Sequence, residues 1–149
     1  SPSGIALTEI YDTDVTAGAR LTNVSARMNV GAGEGMAGLV IAGNAPKTVL
    51  IRGVGPTLSA FAVTGVLADP TITLFSGNTQ LASNDDWETG ASTTAQIIGA
   101  SAQVGAFPLP ACSKDAALLI TLQPGAYTVL VTGVGNTTGV ALIEVYDTQ

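Results

Sequence analysis

Short runs of β-branched and apolar residues, cut at close intervals by Gly, Pro, Asn and Asp, recur along the whole of this chain. That punctuation suits a β-sandwich or barrel and not alternating β and α units, which need longer helical stretches between strands. The runs predict strands over 5–11, 20–28, 38–42, 48–54, 71–75, 80–83, 116–122, 126–132 and 140–146. Nine strands suffice for two packed sheets. Ser76-Gly77-Asn78 and Gln123-Pro124-Gly125 supply the residues that tight reversals require. Over 92–104 the pattern changes to small residues with Ile97, Ile98 and Val104 apolar, which predicts a short helix at a sheet edge, weakened by Gly99. The glycine-rich stretch from Val30 to Gly35 lacks the Lys-Ser or Lys-Thr of a phosphate-binding loop and reads as a mobile surface loop.

The 149 residues fit one domain. Apolar residues make up 46% and charged residues 11%, so charge alone does little to solvate the surface. The surface is then expected to be covered by other molecules or solubilised by hydroxyls, glycines and glycans. Five basic and eleven acidic residues give a net charge of −6, which opposes binding to nucleic acid or to anionic lipid. No apolar run reaches the roughly 18 residues that cross a bilayer, and no basic-then-apolar leader opens the sequence, so it reads as a mature form without membrane insertion. The lone Cys112 has no internal partner and is expected as a small buried or half-buried residue. Scarce Lys, no His and abundant Gly, Thr, Ala and Val point to a secreted, cell-surface bacterial protein.

The two ends of the chain repeat one strand. Residues 4–13 read Gly-Ile-Ala-Leu-Thr-Glu-Ile-Tyr-Asp-Thr and residues 139–148 read Gly-Val-Ala-Leu-Ile-Glu-Val-Tyr-Asp-Thr, identical at seven of ten positions at a constant offset of 135. Such an offset is that of a tandem array cut before the closing strand of one repeat. In the C-terminal copy Val140, Leu142, Glu144 and Tyr146 share one face and Ala141, Ile143 and Val145 the other, so that strand is expected to be central and buried. The N-terminal copy, with Ile5, Leu7, Ile10 and Tyr11, is followed by a polar stretch over 12–18 suited to a hinge. Such a strand can complete the sheet of another subunit, and burying its four large residues is worth about 6 to 12 kcal/mol before ordering costs. The alternative is that it opens its own sandwich. The expected division is a donor strand and hinge over 1–19 and a β-sandwich over 20–149.

Thr71-Ile-Thr-Leu-Phe75, Gln80-Leu-Ala-Ser-Asn-Asp-Asp-Trp87 and Leu122-Gln-Pro-Gly-Ala-Tyr-Thr-Val-Leu-Val131 together resemble the bacterial pre-peptidase C-terminal type of β-sandwich, repeated in large secreted bacterial proteins. The resemblance covers residues 70–148 and, in the repeated-module version, extends back to about Arg20 through Lys47-Thr-Val-Leu-Ile-Arg-Gly-Val-Gly-Pro56. It implies an all-β, two-sheet, jelly-roll-like β-sandwich of about nine strands with one short helix, used for adhesion, spacing or assembly. It also implies that the acidic turn of Asn84, Asp85, Asp86 and Glu88 is a candidate calcium site. Three or more oxygen ligands in five residues suit a hard cation, although the spacing is not an EF-hand loop; the other reading is a solvated Asx-type turn anchored by Trp87.

Without histidine, Ser-His-Asp, Cys-His and most zinc arrangements are excluded. Asp85 with Asp86 or Glu88 offers a carboxylate pair, but neighbours on one turn rarely face each other across a substrate. Asn23-Val24-Ser25 and Asn136-Thr137-Thr138 are glycosylation triplets in a secretory host. Glu9 and Glu144 sit within strands with Arg20, Arg27 and Arg52 as the available partners. The sequence therefore predicts a non-enzymatic subunit of an extracellular filament, a homopolymer joined head-to-tail by strand complementation. The alternative is an adhesion or carbohydrate-binding module of a larger secreted protein, poorly supplied with stacking rings by one Trp, three Tyr and three Phe.

Overall fold

Eight of the nine expected runs form strands. The computed structural model describes residues 8–10, 21–31 and 35–149. Among the described residues the strands are β1 (Asn23–Val30), β2 (Gly35–Ile41), β3 (Lys47–Val54), β4 (Pro70–Ser76), β5 (Thr79–Asn84), β6 (Ala116–Leu122), β7 (Gly125–Gly133) and β8 (Gly139–Asp147), with one α-helix, α1 (Thr94–Gln103), between β5 and β6. Two four-stranded antiparallel sheets result, β1-β8-β3-β6 (sheet A) and β2-β7-β4-β5 (sheet B). Eight strands interleaved in this order make a jelly roll.

Alternation along the strands produces the sandwich. Ile72 and Leu74 of β4, Val129 and Val131 of β7, Val49 and Ile51 of β3 and Ala141 and Ile143 of β8 meet in one core between the sheets. Thr71, Thr73, Thr128, Leu130 and Thr132, which alternate with them, are half-buried on the other face of sheet B. β3 departs from alternation and is buried from Val49 to Val54, because both its faces are covered. On its outer face Leu50 meets Trp87, Ala117, Tyr146 and the Ile97 and Ala100 face of α1. Thr93 begins the helix with a capping box: its hydroxyl accepts from the Gln96 amide, and Gln96 Oε1 accepts from the Thr93 amide at 2.8 Å.

Three expectations shift. The helix lies over the face of sheet A and not at a sheet edge, because Leu50 and Ala117 give that sheet a second apolar face that needs cover. Cys112 is exposed and not buried; it occupies a turn at φ 58°, with its amide donating to Glu88. Of the expected first strand, residues 5–7 and 11 lie outside the described residues, and Thr8, Glu9 and Ile10 are exposed and belong to no strand. The loop expected over 30–35 is flanked by the buried ends of β1 and β2, with residues 32–34 outside the described set.

β8 sits between β1 and β3, the central position that its two apolar faces predicted. It enters at Gly139, where an added Cβ would fall 2.6 Å from the Leu67 amide nitrogen and 2.7 Å from the Leu67 Cα, so only glycine lets the strand start there. Gly139→Ala is expected to lower the melting temperature clearly. Gly99→Ala, at a helix position with open space around it, is expected to raise stability by about 0.5 to 1 kcal/mol in chemical unfolding.

Candidate functional site

Two places in the fold carry polar chemistry. The first is at the pole where β4 begins and β5 ends. Asp69 lies just before β4, and Asp85 and Asp86 just after β5; because β4 and β5 pair antiparallel, with Ile72 opposite Asn84, the three carboxylates converge. They offer oxygens within 4.8 Å of one another. Asp85 accepts from the Thr71 hydroxyl at 3.1 Å, and Asp86 Oδ2 accepts from the Lys114 ammonium at 3.0 Å. Asp69 Oδ1 and Asp86 Oδ1 are shut off from solvent with no hydrogen-bond donor in reach. Desolvation, and then the charge of Asp85, raise the Asp69 pKa above the ordinary carboxylate range.

Of the four residues proposed from the sequence, Asp85 and Asp86 belong to this cluster. The other two are bonded elsewhere. Asn84 is buried, accepting from the Ala117 amide at 2.8 Å and donating to the Asp86 carbonyl at 2.9 Å. Glu88 turns to the Cys112 amide at 2.7 Å. Asp69, fifteen or more residues upstream, was not legible as a member; the pairing of β4 with β5 places it there. Trp87 anchors the turn as expected, 2% exposed, with its indole nitrogen donating to the Pro110 carbonyl at 3.2 Å. Orphaned carboxylate oxygens in a shared cradle are a donor set suited to a hard, oxygen-seeking divalent cation.

The second place is the outer face of sheet A. Arg52, wholly buried, donates from Nε at 2.8 Å and Nη2 at 2.5 Å to Glu144 Oε2, and from Nη1 at 2.6 Å to the Phe107 carbonyl. The Phe107 ring lies 4.4 Å from the guanidinium carbon and packs on Phe61 at 5.0 Å. Tyr146 donates its hydroxyl to Glu144 Oε1 at 2.7 Å, and burial followed by the neighbouring Glu144 pushes its pKa up to about 12. The predicted Glu144 to arginine pairing is thus a contact between neighbouring strands of one sheet, with Arg52 as the partner. Val140 and Leu142 are half-buried beside it, while Ile5, Leu7 and Tyr11 lie outside the described residues and Ile10 is 59% exposed.

Among the described residues Phe61 is the one exposed aromatic ring, so a flat stacking platform for sugars is not formed by them. No helix among them is long and apolar enough to cross a membrane.

No protein-family model and no curated protein matches the sequence. Among solved structures the chain is similar to the pre-peptidase C-terminal domain of a collagenase from Bacillus anthracis, with a TM-score of 0.50 and 12% sequence identity, covering 83% of this chain and 89% of that one. At that identity the likeness is one of fold.

Calcium is expected to raise the melting temperature relative to chelator, read by differential scanning fluorimetry. Asp85→Asn is expected to remove that response. Asp69→Asn is expected to remove it and, in chelator, to melt above the parent chain because an uncompensated carboxylate is gone.

Proposed function

We propose that this chain is an accessory β-sandwich module of a larger secreted bacterial protein, acting by binding and spacing and not by catalysis. The observation that carries the reading is the fold. The jelly roll spans nearly the whole of a neighbour that is itself one domain of a larger protein, a collagenase. Low charge, a net charge of −6 and the absence of histidine fit a module exposed outside the cell with no acid-base or nucleophilic machinery of its own. In this reading the carboxylates of Asp69, Asp85 and Asp86 hold a calcium ion. It would neutralise their repulsion and tie the start of β4 to the end of β5.

The second reading is a filament subunit joined head-to-tail through the N-terminal strand. The end-to-end echo and the exposed Ile10 favour it, because Thr8, Glu9 and Ile10 belong to no strand. Against ready assembly stands β8, which already fills the position in sheet A that the echo would take.

Analytical ultracentrifugation and negative-stain imaging separate the two readings. The accessory-module reading expects monomers at micromolar concentration, with and without residues 1–13. Filaments that disappear when residues 1–13 are removed, while the fold persists, would replace it with the second reading.

A further inference from the structure

The seven identities between residues 4–13 and 139–148 are not spread evenly over what a β-strand needs. Gly139 is required by the Leu67 backbone, 2.6 Å from where a Cβ would stand, and the echo keeps Gly4. Ala141 is fully buried between the sheets, and the echo keeps Ala6. Glu144 meets the buried Arg52 and Tyr146 donates to Glu144, and the echo keeps Glu9 and Tyr11. Asp147 takes the Lys47 ammonium at 2.6 Å, and Thr148 bonds to the Thr48 carbonyl through its amide at 3.1 Å and its hydroxyl at 2.9 Å; the echo keeps Asp12 and Thr13. Leu142 and Leu7 complete the set.

The side chains by which β8 makes these polar contacts with β3 are therefore present in residues 4–13, in the same order and spacing. A strand selected only for β propensity would keep the apolar alternation and lose the Glu and Asp, which strands disfavour. We infer that residues 4–13 are a second β8, addressed to the slot between β1 and β3 by Glu9 on Arg52 and Asp12 on Lys47. The chain thus carries two closing strands and one slot. The inference rests on the second reading above, joining through the N-terminal strand, and identifies the slot and the side chains by which that strand is placed.

One substitution decides which strand holds the slot. Ile143 is 2% exposed in the core between the sheets, and the echo has Thr8 in its place. A threonine there gives up apolar burial and brings a hydroxyl into a dry core, so the C-terminal strand wins when both compete. The N-terminal copy is then the surplus strand, available to a slot left open. It reaches either its own slot or another copy's: Asn23 lies opposite Tyr146, so the end of the β8 slot and the start of β1 adjoin, and nine residues separate Thr13 from Asn23. Exchange of a strand between identical copies is the domain-swapping route to assembly.

Two variants of the full chain test this. Converting β8 to the echo sequence with Val140→Ile, Ile143→Thr and Val145→Ile is expected to preserve cooperative unfolding, with the melting temperature lowered by roughly 5 to 10 °C. Ile143→Asp, which expels the C-terminal strand, is expected to stay folded by using residues 4–13. In that background Glu9→Gln lowers the melting temperature by more than the same change does in the parent, and removal of residues 1–13 unfolds the chain, whereas the parent stays folded without them. Size-exclusion chromatography then reads whether the slot is filled within one chain or between chains. Loss of cooperative unfolding in the triple variant overturns the inference. So does an Ile143→Asp chain that is unfolded with residues 1–13 present, or that is indifferent to their removal. Any of these would leave the accessory-module reading standing, since that reading rests on the fold and not on the echo.

Discussion

A guanidinium cut off from water must be matched at nearly every nitrogen, and Arg52 sets that demand on the covered face of sheet A. Its partners come from two parts of the chain, β8 and the segment after α1. Glu144 arrives on β8, the Phe107 carbonyl on the segment that follows α1, and the rings of Phe107 and Tyr146 close over it. Removing any one leaves the charge short of a partner in a place water does not reach. The consequence is register: β8 slid by one residue along β3 would send Glu144 into the core between the sheets and put Ile143 or Val145 against the guanidinium. Hydrophobic alternation sets which face of β8 points inward, and the ion pair sets which residue stands opposite which.

The same logic governs the segment that covers this face. α1 and the residues after it add little apolar area to the main core, yet they bury Leu50, Ala117 and Tyr146 and carry the Phe107 carbonyl to Arg52. Asp115 performs a similar task where that segment ends. It is fully buried, and its carboxylate accepts from the Gly55 amide at 2.8 Å and from the hydroxyl of Thr57, tying the start of β6 to the turn after β3. Arg52 holds the segment after α1 through the Phe107 carbonyl and Asp115 holds the turn after β3, so both fix loop positions that alternation alone leaves free.

Much of this was readable in the sequence, for identifiable reasons. Strand positions followed from local alternation: β6 was placed to the residue and β3, β4, β7 and β8 to within one or two at each end. β8 was recognised as central because both its faces are apolar, a property of its own residues. The acidic cradle was half legible. Asp85 and Asp86 are neighbours and stand out, whereas Asp69 joins them through the antiparallel pairing of β4 with β5, which single-residue patterns do not encode. Asn84 and Glu88 were drawn in because they are near in sequence, and both prove to be bonded to backbone amides instead. The position of α1 over sheet A depended on a second apolar face, visible only once Leu50 and Ala117 are known to be side by side.

Among the described residues β1 begins at Asn23, opposite Tyr146 and beside the end of β8 at Asp147, so these two strand ends lie at the same pole of sheet A. A pull applied across those two points does not load the β1 and β8 ladder in shear. It parts the strands like a zipper, one rung after another, so the force resisted at any moment is that of a single rung and not of the whole ladder. Strung in series, such domains would yield under tension in turn, lengthening the protein at low force.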